Sequence, residues 1–237
     1  MKSARLILLR HGQSLYNKEN LFTGWTDIDL SDQGREEARR AGKILQAADL
    51  YPEICFTSWL KRAIHTAQIA LRELEWEHID CIKHWKLNER HYGAWQRHNK
   101  EAIKKEVGEE MFVAIRRGYD TPPPPLPDGD PRLAENDPKY AGIDPALLPR
   151  SESLKDTRRR TLNYFAEKIA PELARGKTVL VSAHGNSLRS LVMAIERLTP
   201  QQIVKVEIPT GEPILYTFDE TLHLLKKDLP ADYVNVS

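Results

Sequence analysis

Two apolar runs in this chain end alike. Leu6-Ile7-Leu8-Leu9 leads into Arg10-His11-Gly12, and Thr178-Val179-Leu180-Val181-Ser182-Ala183 leads into His184-Gly185-Asn186. Each run has the length and unbroken hydrophobicity of a strand covered on both faces, as strands of parallel sheets are. Each is followed by residues that can open a helix. Ligands of open α/β sheets gather outside the carboxyl ends of the strands. Two central, parallel strands of this kind would bring His11 and His184 out at one edge of the sheet, facing one ligand. Gly12 lets the backbone turn sharply there.

The intervening chain supports a sheet of this type. Ser31 is placed to cap a helix in which Ala38, Ala41, Gly42, Leu45 and Ala48 repeat at helical spacing. Ile54 to Ser58 reads as a second strand, and Leu60 to Leu74 as a helix with Lys61, Arg62 and His65 in its first turns. Strand, helix, strand, helix at this spacing argues for an α/β fold with right-handed crossovers. Ile82 to His98 has no clear period and is crowded with functional groups. Lys100 to Gly118 reads as helical. Thr121 to Pro131 favours polyproline II and reads as a stiff loop over a domain face, a PxxP partner motif being the alternative. Ser151-Glu152-Ser153 opens a long helix to about Ala174, with Gly176 as its stop. Ser187 to about Arg197 is helical, and Val204 to Ile208 and Ile214 to Phe218 read as late strands. From Lys226 the chain is polar and weakly patterned.

Length suits one large α/β domain. The expectation is a single domain over 1–237, with a Pro-rich insertion around 119–150 and a short polar tail, 228–237. Charged residues make up 29% of the chain, yet the net charge is only +1. A bulk attraction to nucleic acid or anionic lipid is therefore not expected, and any basic site must be a local cluster. No apolar run approaches the roughly 18 to 20 residues of a membrane span, and the N-terminus shows no signal-peptide pattern. Cys55 and Cys81 lack CxxC spacing and read as two buried thiols, not a zinc site or a disulfide framework. A cytoplasmic protein is expected.

What would two converging histidines do? A metal site is one answer, with Glu89 as a third ligand. Arg10 beside His11, and Arg62 from the helix that follows the second strand, argue against a divalent cation by Coulomb's law. Guanidinium groups around imidazoles suit a phosphoryl group, whose oxygens accept forked, charge-assisted bonds. His11 is then the candidate nucleophile toward phosphorus. Arg10, Arg62 and His184 are candidate stabilisers of the transferring charge. Ser14 and Asn17 can hydrogen-bond the same anion. Glu89 is the candidate acid and base, an ordinary surface carboxylate being the alternative. Lys100, Arg116 and Arg117 can hold the distal anion of a small, doubly charged substrate, or be solvated helix residues.

The motifs, in order, resemble those of the cofactor-dependent phosphoglycerate mutases of the histidine phosphatase superfamily. They are RHGxSxxN (Arg10 to Asn17), FTGW (Phe22 to Trp25), TSxLKRAIHT (Thr57 to Thr66), KLNERHYG (Lys86 to Gly93), Asn99-Lys100, Arg116-Arg117, SESLKDT (Ser151 to Thr157), AHGNSLR (Ala183 to Arg189) and IPTGxP (Ile208 to Pro213). The resemblance implies a three-layer α/β sandwich with a mostly parallel central sheet flanked by helices. It implies a transient phosphohistidine at His11, proton transfer by Glu89 and charge stabilisation by His184. The pocket it implies is lined by Arg10, Ser14, Asn17, Thr23, Gly24 and Arg62 on one side. Tyr92, Lys100, Arg116, Arg117, Gly185 and Asn186 complete it. The implied reaction interconverts 3- and 2-phosphoglycerate in glycolysis and gluconeogenesis, with 2,3-bisphosphoglycerate as primer, no metal, and a homodimer or homotetramer as the assembly.

Four positions depart from the family pattern. Gln13 replaces a Glu, Arg97-His98 replaces a small-plus-apolar pair such as Gly-Leu, Trp95 replaces a smaller apolar residue, and the tail is short. A short tail would admit water, which hydrolyses phosphohistidine. The alternatives are therefore a bisphosphoglycerate phosphatase or synthase with weak mutase activity, and a non-catalytic binding protein on the same fold.

Overall fold

The structure is a computed structural model that describes residues 3–230. Among these residues six strands form one sheet: β1 (Ala4–Arg10), β2 (Ile54–Thr57), β3 (Cys81–Lys83), β4 (Thr178–Ala183), β5 (Pro213–Phe218) and β6 (Leu224–Asp228). Their spatial order is β3-β2-β4-β1-β5-β6. The pairs from β3 through β1 are parallel, and β5 runs antiparallel to β1 and to β6.

The helices are α1 (Leu15–Lys18), α2 (Asp32–Ala47), α3 (Lys61–Glu73), α4 (Lys100–Val107), α5 (Glu109–Arg117), α6 (Leu154–Tyr164), α7 (Ala170–Ala174), α8 (Gly185–Ile195) and α9 (Pro200–Ile203). Alternation along β1 divides the core. Ile7 and Leu9 pack with Ala41 and Leu45 of α2 and Ala67 and Ala70 of α3. Leu6 and Leu8 pack on the other face with Tyr164, Leu173, Leu188 and Leu191. Both faces of the sheet are thus covered, which is why β1 and β4 carry apolar residues at consecutive positions. The architecture is the expected three-layer α/β sandwich.

β1 and β4 pair from Arg5↔Thr178 to Arg10↔Ala183. The His11 N–H then donates to the Ala183 carbonyl at 3.0 Å, so the two His-Gly turns leave the sheet level with each other. The turn after β1 is held tightly against α2. A Cβ on Gly12 would lie 2.1 Å from the Gly34 carbonyl oxygen, and one on Gly34 would lie 2.0 Å from that of Gln13.

Several elements differ from the sequence expectation. The helix over 100–118 is two helices, because Gly108 takes φ 83° between α4 and α5. The helix expected to open at Ser151 begins at Leu154, with the Ser153 hydroxyl accepting the Asp156 N–H. It does not run unbroken to Ala174. Pro171 offers the Glu167 carbonyl no N–H, and the ladder loosens into a π turn over Phe165–Ile169 before α7. Val204 to Ile208 is not a strand. The stretch ends in the cavity lining instead of the sheet, where the Ile208 carbonyl accepts from Arg10. The end is more ordered than its composition suggests: Leu224–Asp228 is an edge strand, exposed and lysine-bearing as edge strands often are. The expected tail, 228–237, lies outside the described residues from 231 on.

Segment 119–150 is extended chain and short 3₁₀ turns. Buried Leu126, Leu133 and Tyr140 anchor it. The Tyr140 ring stacks on Trp25 at 5.1 Å, and its hydroxyl accepts the Asn88 amide at 2.8 Å.

Candidate active site

The two histidines meet at the carboxyl end of the sheet, ring centroids 5.0 Å apart. Both are buried, at 3% and 0% exposure. Hydrogen bonds fix the tautomer of His11. Its Nδ1 lies 2.7 Å from the Gly12 carbonyl, which only accepts, so Nδ1 carries the proton. Its Nε2 receives the Arg62 Nε–H at 3.3 Å, so Nε2 holds the lone pair. Burial holds the His11 pKa well below 6.5, and the charges of Arg62 and then Arg10 depress it further, against the Gly12 hydrogen bond. His11 is therefore neutral at neutral pH, with a basic nitrogen turned to the guanidinium. His184 is lowered likewise, first by burial and then by Arg62. Its Nε2 lies 2.7 Å from the Ser58 hydroxyl. Its buried Nδ1 has no hydrogen-bond partner among the described residues.

A cavity of about 190 Å³ opens beside His11. Six cationic side chains line it, Arg10, Arg62, Lys100, Arg116, Arg117 and Arg189, against the two carboxylates Glu89 and Glu207. That balance selects an anion. Arg62 is fully buried and spends its terminal nitrogens on the carbonyls of Thr26 and Gly24. Arg10 donates to the Ile208 carbonyl at 2.7 Å, while its buried Nε has no partner among the described residues. Burial lowers both guanidiniums, Arg62 to about 10, so both remain cations at neutral pH. Lys100 is lowered to about 8, mainly by burial and then by Arg116. Gly185 and Asn186, the first residues of α8, also line the cavity, so the positive end of that helix faces it.

Glu89 is 8% exposed and reaches the cavity from the irregular segment after β3. Its Oε1 accepts N–H bonds from Arg90 at 2.8 Å and Asn186 at 3.0 Å. The segment is shaped by a buried ion pair. Arg160 and Glu152 meet at 2.7 Å through two bonds. Arg160 also donates to the carbonyls of Lys86, Asn88 and Glu89, while Glu152 accepts the His91 N–H. Loop carbonyls that would otherwise be buried without partners are thereby satisfied, and the Glu89 backbone is fixed. Glu152 lies in the SESLKDT motif, whose part in the site sequence reasoning did not assign.

The structure brings most of the expected residues to one wall. Asn17, Thr23, Gly24 and Tyr92 line the cavity with the groups already described. Ser14 does not. It is buried at the start of α1, and its hydroxyl donates to Asn17 Oδ1 at 3.0 Å. His184 packs edge-on against His11 and is not among the lining residues. Leu21, Phe22, Arg189, Glu207 and Ile208 line the cavity without having been singled out. Arg189 donates to Asn186 Oδ1, the Arg117 carbonyl and the Ile203 carbonyl. Arg90, fully buried, donates to the carbonyls of Ile115 and Arg116. Together they tie down the end of α5 that carries Arg116 and Arg117. The sequence signal for both was only an arginine inside a motif already noted.

The unusual positions also find places. Gln13 accepts the Ser31 hydroxyl at 2.8 Å and is not a lining residue. Arg97 and His98 are exposed and are not among the residues that line the cavity. Trp95 is buried against Phe22 at 5.3 Å, in the aromatic cluster beneath Tyr92. Among the described residues no cluster of three or more His, Cys, Asp or Glu side chains is arranged to hold a metal ion. None of their helices is long and apolar enough to cross a membrane.

A sequence profile of the histidine phosphatase superfamily (branch 1) matches residues 6–226. Similar proteins include the 2,3-bisphosphoglycerate-dependent phosphoglycerate mutase of Hydrogenobaculum sp. (strain Y04AAS1). It is 55% identical over 227 residues, which cover 96% of this chain and 92% of that one. A protein of the same name from Nautilia profundicola is 50% identical over 221 residues, covering 93% and 96%. The solved phosphoglycerate mutase of Bacillus anthracis str. Sterne superposes with a TM-score of 0.71 at 18% identity, covering 98% and 95%. At that identity the likeness speaks for the fold.

Proposed function

We propose, for a chain that belongs to the histidine phosphatase superfamily, that it interconverts 3-phosphoglycerate and 2-phosphoglycerate by phosphoryl transfer through His11, primed by 2,3-bisphosphoglycerate. The observation that carries the reading is the neutral His11 Nε2, aligned by Arg62 in a cavity lined by six cations.

In priming, His11 Nε2 attacks one phosphorus of the bisphosphate, and the bond from phosphorus to the substrate oxygen breaks. Glu89, as the general acid, gives a proton to the departing alkoxide. In the return step Glu89 takes the proton of a substrate hydroxyl, that oxygen attacks phosphorus, and the N–P bond breaks. Transfer to the other hydroxyl completes the exchange. Arg10, Arg62 and the Gly185 amide hold the equatorial oxygens of the moving group, and the Arg62 Nε–H turns from the His11 lone pair to a phosphoryl oxygen as the N–P bond forms. The Ser58 hydroxyl, which accepts the Leu60 N–H, donates its own proton to His184 Nε2 in the tautomer this reading needs. His184 Nδ1–H is then a donor toward the phosphoryl group. Lys100, Arg116 and Arg117 take the carboxylate and the second phosphate. The orphaned Arg10 Nε and His184 Nδ1, with the surplus of cations, fit a bis-anionic primer. We read the chain as one catalytic unit, cytoplasmic, and a homodimer or homotetramer.

The hydrolytic alternative loses two of its supports, since Gln13 and the pair Arg97-His98 stay out of the cavity lining. An assay coupled to enolase tests the reading. Turnover of 3-phosphoglycerate that rises on adding catalytic bisphosphate is expected. Phosphate release from the bisphosphate outpacing that flux would favour a phosphatase instead.

A further inference from the structure

We propose that Cys55 and Cys81 are an oxidisable dithiol that closes, within one chain, to a reversible disulfide, with a hydroperoxide as the oxidant. Far apart in sequence, the two residues are direct partners in the parallel pairing of β2 with β3. Their sulfurs lie 3.3 Å apart, both as free thiols. Neighbouring strands run about 4.8 Å apart, inside the roughly 4.4 to 6.8 Å between Cα atoms that a disulfide spans. The sulfurs have to approach by about 1.3 Å to reach the roughly 2.05 Å of a disulfide. A bridge between directly paired strands is also a reducible one, because it departs from relaxed geometry.

The two thiols are not equivalent, and the difference sets the order of events. Cys55 is fully buried between β4 and β3. Cys81 is half-buried on the outermost strand, next to Ile82, which is 42% exposed. Its hydrogen bond with Cys81, and then burial, push the Cys55 thiol up. Cys81 is drawn down by its hydrogen bond with Cys55 and by the Lys83 charge. Cys81, the less buried of the two, is therefore the thiol that meets the oxidant first. Cys81 Sγ takes one oxygen of the hydroperoxide, the O–O bond breaks, and the alcohol leaves with the thiol proton. Cys55 Sγ then attacks Cys81 Sγ, the S–O bond breaks, and water leaves with the Cys55 proton. Two thiols lose two electrons, and one hydroperoxide becomes an alcohol and water. Neither cysteine lines the cavity beside His11, so the inference stands apart from the proposed reaction.

The test treats the full folded chain with hydrogen peroxide, alkylates the remaining thiols and maps the peptides. The chain has two cysteines, so titratable thiols should fall from two to none. One peptide pair joining Cys55 to Cys81 should appear and separate on adding dithiothreitol. Non-reducing electrophoresis should show no covalent dimer. In Cys55→Ser, Cys81 should stop at the sulfenic acid and be trapped by dimedone. The proposal is overturned if Cys81 becomes a sulfinic acid or cross-links two chains while Cys55 stays alkylatable. It is equally overturned if both thiols survive the peroxide, or if Cys81 of the variant gives no dimedone adduct.

Discussion

Lys100 carries a charge that its surroundings resist. Burial and three arginines bring its pKa to about 8, so it starts to lose its proton only slightly above neutrality. An anionic substrate binds the protonated form. The Michaelis constant should therefore rise as pH climbs through about 8, with kcat little changed, and Lys100→Arg should flatten that rise. A pH-independent constant in the wild type would remove Lys100 from substrate binding. His11 behaves oppositely, since it is already neutral well below pH 6.5, and the rate should not fall as pH drops through that value. Glu89→Gln keeps the hydrogen-bonding shape but cannot shuttle a proton. A loss of about 10²- to 10⁴-fold in kcat is expected, and a rate near wild type would refute the assignment.

At the scale of elements, the strands and their histidines were legible because each of those runs has one dominant signal. β1 and β4 are unbroken apolar stretches, and α2 and α3 show plain helical spacing. β3 and β6 were hidden, being short or exposed edge strands in which alternation says little. The false strand at Val204 to Ile208 shows the converse, a good pattern that ends in the cavity lining and not in the sheet. The site divides in the same way. Residues that touch a ligand stood out by chemical type, whereas Arg90, Arg160 and Arg189 act by holding backbone carbonyls, which sequence does not display. Arg160→Met leaves Glu152 buried and unpaired, so unfolding in urea should reveal a loss of about 3–5 kcal/mol. A loss under about 1 kcal/mol would mean that the pair carries little of the loop. Nothing in the structure explains the arginine at position 97. It sits at φ 74°, where a side chain is disfavoured and glycine is at ease. Arg97→Gly should raise the urea midpoint by up to about 1 kcal/mol in stability, reduced by the freer unfolded chain.

For the molecule as a whole, buried neutral histidines tie stability to pH. His91 accepts the Gly93 N–H on Nδ1 and is lowered to about 3, chiefly by burial and then by Arg160. The unfolded chain binds a proton at this residue below about 6.5, while the folded chain does not until about 3. Stability is therefore unaffected by His91 above 6.5 and falls as pH drops through that interval, on the order of 4 kcal/mol from this residue alone. His11 and His184 act in the same direction. Denaturant midpoints measured from pH 7 to pH 4 should fall steadily, and His91→Phe should flatten the slope. The same burial that makes acid costly keeps His11 neutral, and the account of function depends on its Nε2. Phosphorus NMR and peptide mapping of the chain mixed with 2,3-bisphosphoglycerate test it most directly. One acid-labile phosphoryl group on Nε2 of His11, absent from His11→Ala, is the predicted result. No phosphoryl group on the chain, or one carried by another residue, would contradict it.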